Sequence, residues 1–294
     1  MSDIAAFFSS YPASFPWIIG LFCLAIGSFL NVAIHRLPIM LERQWRNQCQ
    51  ELLHPDQPSA ASSERYDLVA PRSRCPHCGH TITALENVPV LSFLWLRGKC
   101  SACGEPISWR YPFVEILTGC LSAFVAWRFG FSTAALAGLV MTWSLIVLAF
   151  IDYDRQLLPD DITLPLIWTG LILNIYAVFV PLSSAVIGAA SGYVSLRLVY
   201  QIFKLLTGKE GMGFGDFKLF AALGAWLGWQ SLPLIILLAS LVGAVMGVAF
   251  ILFRGHDRRV PIPFGPFLCI TGWIALMWGD TLTRLYLQFA RITV

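Results

Sequence analysis

Long apolar runs constrain this chain more than any other feature of its sequence. They recur from Trp17 to near the C-terminus. Most are about 20 residues long, which at about 1.5 Å per residue crosses a hydrocarbon core of about 30 Å. Apolar residues make up 57% of the 294 residues and charged residues only 13%, against about 25% charged in ordinary soluble domains. The sequence therefore predicts a membrane protein and excludes a simple soluble enzyme.

The apolar runs predict about eight transmembrane helices in an all-α polytopic fold. The stretch near 217–230 is short and contains glycine, so it could instead be a tilted or partly re-entrant element, which would leave seven spans. Met1 to Pro16 lacks the Lys or Arg of a cleavable signal peptide, so we expect the first span to remain in the mature protein. The spans lie near 16–34, 112–129, 132–151, 162–181, 183–204, 217–230, 232–253 and 262–280.

The positions of the positive charges predict the orientation. If the spans alternate, 16 of the 20 Lys and Arg fall on one face and three on the other, while Arg197 lies inside a span. Cytoplasmic loops carry an excess of Lys and Arg. The long loop after the first span is therefore expected in the cytoplasm, and both termini are expected on the periplasmic side of a bacterial membrane.

This long loop differs in kind from the rest of the chain. It is polar, and it contains five of the eight cysteines. We expect three parts: a periplasmic N-terminus with the first helix (1–34), a small cytoplasmic domain (35–111) and a transmembrane helical bundle (112–294). Neither composition nor charge suggests a nucleic-acid partner.

Two Cys-x-x-Cys pairs predict a metal site in the cytoplasmic domain. Cys75 and Cys78 form one pair, Cys100 and Cys103 the other, and glycine follows each pair. Four thiolates complete the tetrahedral shell of a structural zinc ion, and metal binding can fold a segment that is too polar for a large core. A redox pair or disulfides are the alternatives, but a reducing cytoplasm disfavours disulfides. His77 and His80 could each replace one sulfur.

Acidic residues at the cytoplasmic ends of two spans predict a second site. Asp152 directly abuts an apolar run, with Asp154 and Asp160 close behind, and Asp216 follows a glycine-rich turn. Ionisable groups at membrane depth are costly and often functional. Two aspartates brought together cannot both ionise cheaply, so the pair shares a proton as in aspartic proteases.

Less specific interpretations of these acids remain open. Asp is a favoured helix cap, and Asp154 and Asp160 could be supporting acids that hold Lys218 or Arg155. Ion or proton transport also uses membrane acids, although transporters usually place polar groups near the middle of several spans.

Six separated motifs together resemble the bacterial type IV prepilin leader peptidases over about residues 17–280. The resemblance implies a GxGD-type aspartic protease with Asp152 and Asp216 as catalytic residues, Gly213 and Gly215 in the GxGD turn, and Asp154 and Asp160 nearby. The motifs are Gly27 to Pro38, the two Cys-x-x-Cys pairs, Asn87 to Ser92, Arg110 to Glu115, the segment around Asp152, and Gly213-Phe214-Gly215-Asp216.

The resemblance also implies the reaction, the substrates and the location. Such enzymes lie in the bacterial inner membrane, with the active site near the cytoplasmic face. They remove the basic leader of type IV prepilins and type II secretion pseudopilins after a glycine. Members with the large cysteine-bearing loop also methylate the new N-terminal residue, commonly Phe, with S-adenosylmethionine. The methyl-donor site has no recognisable nucleotide motif here.

A different class of function remains possible on the residues alone. The chain could be a zinc-stabilised membrane transporter or a pilus or secretion assembly scaffold, with acids that bind ions or partner helices. Loss of leader cleavage on substitution of either aspartate would separate the two hypotheses.

Overall fold

The computed structural model describes residue 8 and residues 10–54, 65–254 and 263–289. In this part of the chain the regular structure is helical, apart from two isolated bridges near the cysteines. The predicted all-α class is confirmed. The helices are α1 (Ser14–Leu53), α2 (Leu91–Trp95), α3 (Arg110–Phe129), α4 (Thr133–Arg155), α5 (Asp160–Ile175), α6 (Leu182–Thr207), α7 (Phe214–Leu227), α8 (Leu232–Arg254) and α9 (Gly265–Phe289), with a single 3-10 turn at Trp229–Ser231.

Among the residues that the structure describes, five helical segments are long and apolar enough to cross a membrane. They are α1, α3, α4, α6 and Trp229–Ala249, and the helix Gly265–Gly279 is apolar but shorter. Helices α5 and α7 have 16 and 14 residues, or about 24 and 21 Å, which is less than the thickness of a hydrocarbon core. Helices thus form near all eight predicted positions, but the predicted count of eight spans is not confirmed.

The chain divides into two compact units, the N-terminal unit (residues 1–131) and the C-terminal unit (residues 132–294). In the N-terminal unit, α1 and α3 pack closely through glycines. A Cβ atom at Gly27 would lie 2.7 Å from the Cα atom of Glu115, and one at Gly119 would lie 3.0 Å from the carbonyl oxygen of Gly20. Small residues of this kind let membrane helices approach at backbone distance.

Helix α1 continues far beyond residue 34, where the sequence predicts the end of the first span. Its 40 residues extend about 60 Å, twice the hydrocarbon thickness. The buried guanidinium of Arg36 donates hydrogen bonds to the carbonyl oxygens of Asp67 (2.8 Å) and Pro71 (2.6 Å). The polar cysteine-bearing segment is thereby attached to the continuation of α1.

Helix α7 forms the core of the C-terminal unit and is buried along nearly its whole length. At Gly188 and Gly224, α6 and α7 touch through their backbones, because a Cβ atom at Gly188 would lie 2.3 Å from the carbonyl oxygen of Gly224. The buried amide of Asn174 donates to two carbonyl oxygens at the end of α7, at 2.9 and 3.1 Å. The indole N–H of Trp226 donates to a carbonyl of α5 at 2.7 Å. These contacts fix α7, and with it Asp216 in its first turn.

Candidate active site and metal centre

Asp152 lies in the last turn of α4, where the helix leaves its apolar stretch. Gln156 ends the helix in the left-handed conformation, at φ 52°, and donates its N–H to the carbonyl oxygen of Asp152 at 2.9 Å. The Asp152 side chain is only 6% exposed. Its Oδ2 atom accepts a hydrogen bond of 3.0 Å from the backbone N–H of Gly265, the first residue of α9. A distant segment of the chain therefore holds this carboxylate.

Asp216 lies in the first turn of α7, directly after the glycine-rich turn. Its Oδ2 atom accepts the N–H of Gly213 at 3.2 Å. The side chain is 7% exposed, and its Oδ1 atom is buried without a hydrogen-bond partner among the described residues. A buried polar atom without a partner costs about 1–3 kcal/mol and calls for an explanation such as catalysis.

The structure places Asp152 and Asp216 within electrostatic range of each other. They repel each other electrostatically, and the buried thiol of Cys269 on α9 lies within electrostatic range of both. Two buried carboxylates that interact in this way favour one shared proton, and such a pair titrates as a unit. This arrangement can supply a general base and a general acid together.

Leu158 packs against two glycines that lie next to the aspartates, Gly215 beside Asp216 and Gly265 beside Asp152. A Cβ atom on Gly215 would lie 2.6 Å from the Leu158 Cβ atom, and one on Gly265 would lie 3.2 Å from the Leu158 Cδ1 atom. A Cβ atom on Gly265 would also lie 2.6 Å from Oδ2 of Asp152. Glycine at both positions therefore follows from the close packing around the site.

The other residues selected from the sequence lie nearby with different roles. Lys218 on α7 contacts both carboxylate oxygens of Asp160 at 2.7 Å, which ties the first turn of α7 to the start of α5. Asp154 is exposed at the end of α4. A Cβ atom at Gly213 would meet only the Asp216 carboxylate, at an ordinary 3.7 Å.

Gly265 is a site residue that its local sequence does not reveal. Its sequence context predicts only the start of a helix, because Gly265 directly precedes Pro266 and proline is common in the first turn of a helix. That pattern does not indicate which group accepts the hydrogen bond of the Gly265 N–H. Only the packing of α9 in the C-terminal unit brings the Gly265 N–H to Asp152.

The two Cys-x-x-Cys pairs form matching turns in the N-terminal unit. Gly79 donates its N–H to the carbonyl oxygen of Cys75, and Gly104 donates to that of Cys100, both at 3.0 Å. Both glycines have φ 73°, a left-handed conformation that glycine adopts without strain. The turn chemistry expected from the sequence is therefore present in both pairs.

The four sulfur atoms of Cys75, Cys78, Cys100 and Cys103 lie within 4.8 Å of one another. The Cys75–Cys103 and Cys78–Cys100 Sγ distances are 3.9 and 4.0 Å. Sulfurs about 2.3 Å from a tetrahedral zinc would be about 3.8 Å apart, whereas a disulfide needs about 2.05 Å. Backbone N–H groups of Cys78 and His77 lower the pKa of the Cys75 thiol to about 6, whereas burial and the neighbouring thiols raise the pKa of Cys103 to about 12, because the four sulfurs interact as one cluster. The cluster can therefore bind a metal ion.

Glu86 joins the two cysteine turns. Its carboxylate accepts hydrogen bonds from the N–H and hydroxyl of Thr83, both at 2.8 Å, and from the hydroxyl of Ser101 in the second turn. The Nε2 atom of His80 lies 3.3 Å from the same carboxylate. These bonds, led by that from Ser101, lower the pKa of Glu86 to about 2. His80 thus contacts the cysteine turns through Glu86, and the four cysteines are the candidate sulfur ligands.

This helical membrane protein thus has two candidate sites, a pair of buried aspartates at helix ends that suits proteolysis and a four-cysteine cluster that suits metal binding. Residues 21–129 match the bacterial peptidase A24 N-terminal domain, and residues 139–248 match the type IV leader peptidase family. The chain belongs to the type IV leader peptidase family.

Several curated relatives share the name prepilin leader peptidase/N-methyltransferase. That of Aeromonas salmonicida is 58% identical over 277 residues, covering 93% of this chain and 95% of the relative. Those of Stutzerimonas stutzeri and Pseudomonas aeruginosa are 54% and 53% identical, covering 97% of this chain and 98% and 97% of the relatives. No solved structure matches the chain.

Proposed function

We propose that this protein acts as its relatives' name states, as a prepilin leader peptidase and N-methyltransferase. The observation that carries the proposal is the burial of Asp152 and Asp216 together at the ends of two helices. Both residues also lie within residues 139–248, the stretch that matches the type IV leader peptidase family.

In the proposed hydrolysis, Asp152 and Asp216 share one proton. The ionised carboxylate takes a proton from water, whose oxygen attacks the peptide carbonyl carbon, while the protonated carboxyl donates to the carbonyl oxygen. Collapse of this intermediate breaks the C–N bond, and the amine leaves with a proton from the pair. The N–H groups of Gly265 and Gly213 hold the Oδ2 atom of each aspartate, so the unbound Oδ1 atom of Asp216 is available to the reacting groups.

The substrates of this reaction are type IV prepilins and type II secretion pseudopilins, cut after a glycine. Their leader is basic, and it would remain at the cytoplasmic face while the following apolar helix sits in the membrane. Acids at that face, including Asp154, would attract the leader. S-adenosylmethionine is the proposed methyl donor, and it supplies an activated methyl group for the amine that cleavage exposes.

The proposed metal is a structural zinc ion held by Cys75, Cys78, Cys100 and Cys103. The matched turns and the sulfur spacing support this ion. The proposed organisation is a periplasmic N-terminus with the first helix (1–34), a cytoplasmic zinc domain (35–111) and a membrane bundle with the protease site (112–294). The positive-inside rule supports an inner-membrane topology with both termini in the periplasm.

The test is mass spectrometry of the N-terminus of a co-expressed prepilin. The unsubstituted enzyme should remove the leader and add the mass of one methyl group. Asp152→Asn and Asp216→Asn should each leave the leader intact, because an amide can neither take up nor release the proton that hydrolysis requires. Asp161→Asn is the matched control, since Asp161 is exposed in the first turn of α5; it should retain cleavage.

Cleavage by both Asp152→Asn and Asp216→Asn would contradict the assignment of the pair. An intact leader with the unsubstituted enzyme on several prepilins would contradict the proposed substrate class and favour a transporter or scaffold. Equal helix content and metal content in all variants would show that the substitutions leave the fold unchanged.

A further inference from the structure

A short exposed apolar helix stands out in the cysteine-bearing segment of the N-terminal unit. Helix α2 has five residues and lies between the two cysteine turns. Leu91, Leu94 and Trp95 are 64%, 62% and 88% exposed, and we call these three side chains the α2 apolar face. In a polar segment this concentration of exposed apolar surface is costly in water and marks an interaction site.

Two contacts fix the depth of α2 relative to α3. The N–H of Val90, the residue before α2, donates a 2.8 Å hydrogen bond to Oε2 of Glu115, a buried residue in the second turn of α3. The ring of Phe93 packs against that of Trp109, with centroids 4.7 Å apart, and Trp109 directly precedes α3. These contacts place α2 beside the first turns of α3, which is a candidate membrane span.

Positive charges follow the α2 apolar face along the chain. Arg97 and Lys99 are both exposed, and neither side chain forms a hydrogen bond or ion pair with any residue that the structure describes. Apolar and aromatic side chains beside free cations are typical of segments that bind the surface of an anionic bilayer. Tryptophan in particular favours the boundary between headgroups and acyl chains.

We propose that the α2 apolar face inserts into the headgroup boundary of the membrane that α3 crosses, with Arg97 and Lys99 on anionic lipid headgroups. The occupant is the lipid bilayer, because the contacts with Glu115 and Trp109 place this face beside the entry of α3. The cysteine turns are then held against the membrane surface from two sides, by the continuation of α1 and by α2. This docking does not depend on leader cleavage.

The test measures the surroundings of single tryptophans in the full chain. The protein is labelled with 5-fluorotryptophan, assigned by Trp→Phe variants and placed in nanodiscs of phosphatidylglycerol and phosphatidylcholine. Lipid spin-labelled near the headgroup should broaden the fluorine signal of Trp95 more than that of Trp45. A water-soluble gadolinium chelate should broaden Trp45 more than Trp95.

Two tryptophans serve as internal references. Trp45 is 47% exposed on the continuation of α1, nine positions beyond Arg36, whereas Trp226 is fully buried. Trp226 should respond to neither agent. The proposal is overturned if the chelate broadens Trp95 as much as Trp45, which would mean that α2 faces water. It is equally overturned if neither agent reaches Trp95, which would mean that protein covers this face.

A pair of substitutions tests the face itself. Replacing Leu91 and Leu94 together by Ser should reduce the lipid-induced broadening of Trp95, because less apolar surface is left to insert. Replacing Leu52 and Leu53 by Ser is the matched control, since these side chains are 83% and 74% exposed at the end of α1. The control should leave the Trp95 signal unchanged. Unchanged broadening in the Leu91/Leu94 variant with an intact metal content would contradict the proposal.

Discussion

The position of the Asp152 carboxylate depends on a residue 113 positions away. The N–H of Gly265 donates a hydrogen bond of 3.0 Å to Oδ2 of Asp152. A side chain at position 265 does not fit, because its Cβ atom would lie 2.6 Å from the same oxygen. The site therefore depends both on the backbone N–H of Gly265, which binds the carboxylate, and on the absence of a side chain there. Gly265 is therefore a positioning residue for Asp152.

We expect Gly265→Ala to lower kcat for leader cleavage by roughly 10- to 100-fold with little change in KM, because a displaced carboxylate misaligns the reacting groups. Gly279→Ala on the same helix is the matched control, since a Cβ atom there meets nothing within 4 Å. The measurement is steady-state cleavage of a prepilin, with thermal unfolding as a check on folding. A parallel loss in both variants, or a change confined to KM, would contradict the positioning role.

Residue identity predicts some of this chemistry and leaves the rest undetermined. Asp152 and Asp216 are recognisable because carboxylates beside apolar runs are rare and costly. Nothing in their local sequence gives their separation, which depends on how α4 and α7 pack. Gly265 is recognisable from sequence only as a turn or helix-start residue, because a backbone N–H is present at every non-proline position and its acceptor is set by the fold.

A predicted span matches the bounds of the observed helix best where the helix ends at the same residue as the apolar run. The prediction 112–129 is close to α3, Arg110–Phe129. The prediction 16–34 covers only the first half of α1, because a helix continues into water when its polar residues can be solvated on an exposed face, whereas the hydropathy signal ends at the membrane boundary. Sequence hydropathy thus marks the span and not the whole helix.

The two cysteine turns behave as one element because Glu86 connects them. Its carboxylate bonds Thr83 beside the first turn and Ser101 within the second. The pKa of Glu86 falls from an ordinary 4.5 to about 2 in the folded state. A lowered pKa means that the folded state favours the ionised form, so this stabilisation is complete above about pH 4.5 and is lost as the pH falls towards 2.

We expect Glu86→Gln to destabilise the cysteine turns at neutral pH, because the amide accepts weaker hydrogen bonds than the carboxylate. The difference from the unsubstituted chain should shrink as the pH falls below 4.5. Hydrogen exchange of residues 75–103 in both proteins measures this, and effects of the cysteine thiols are common to both. A difference that stays constant from pH 7 to pH 3 would contradict the role of the Glu86 charge.

At the scale of the whole molecule, the two compact units are stabilised by different means. The C-terminal unit has an apolar core around α7, with Phe217, Leu223 and Trp226 fully buried. The cysteine-bearing segment of the N-terminal unit is polar, and its described part is held by backbone turns and by the hydrogen bonds of Arg36. A structural metal supplies folding free energy where apolar burial cannot.

Removal of the proposed zinc ion should therefore affect one unit alone. A strong zinc chelator should speed amide exchange in residues 73–107 by roughly tenfold or more, because structural zinc contributes folding free energy directly. Exchange in α7 should remain unchanged. Cys→Ser at any of the four ligands should reproduce this pattern and lower the zinc content, and unaltered zinc content in all four variants would contradict the site. In these Cys→Ser variants, the rate of N-terminal methylation should fall more than the rate of leader cleavage.

Three properties of this protein can be predicted from its sequence: it is a helical membrane protein, its two Cys-x-x-Cys turns can hold a metal, and Asp152 and Asp216 are acids in unusual positions. These properties depend on local hydropathy, local turn spacing and the cost of a charge near the membrane. Three features depend on tertiary packing: the two acids interact electrostatically, Gly265 donates a hydrogen bond to Asp152, and α2 lies beside the first turns of α3. Each of these depends on contacts between segments far apart in sequence, where many packing arrangements satisfy the same local pattern and a single one buries the helices without voids.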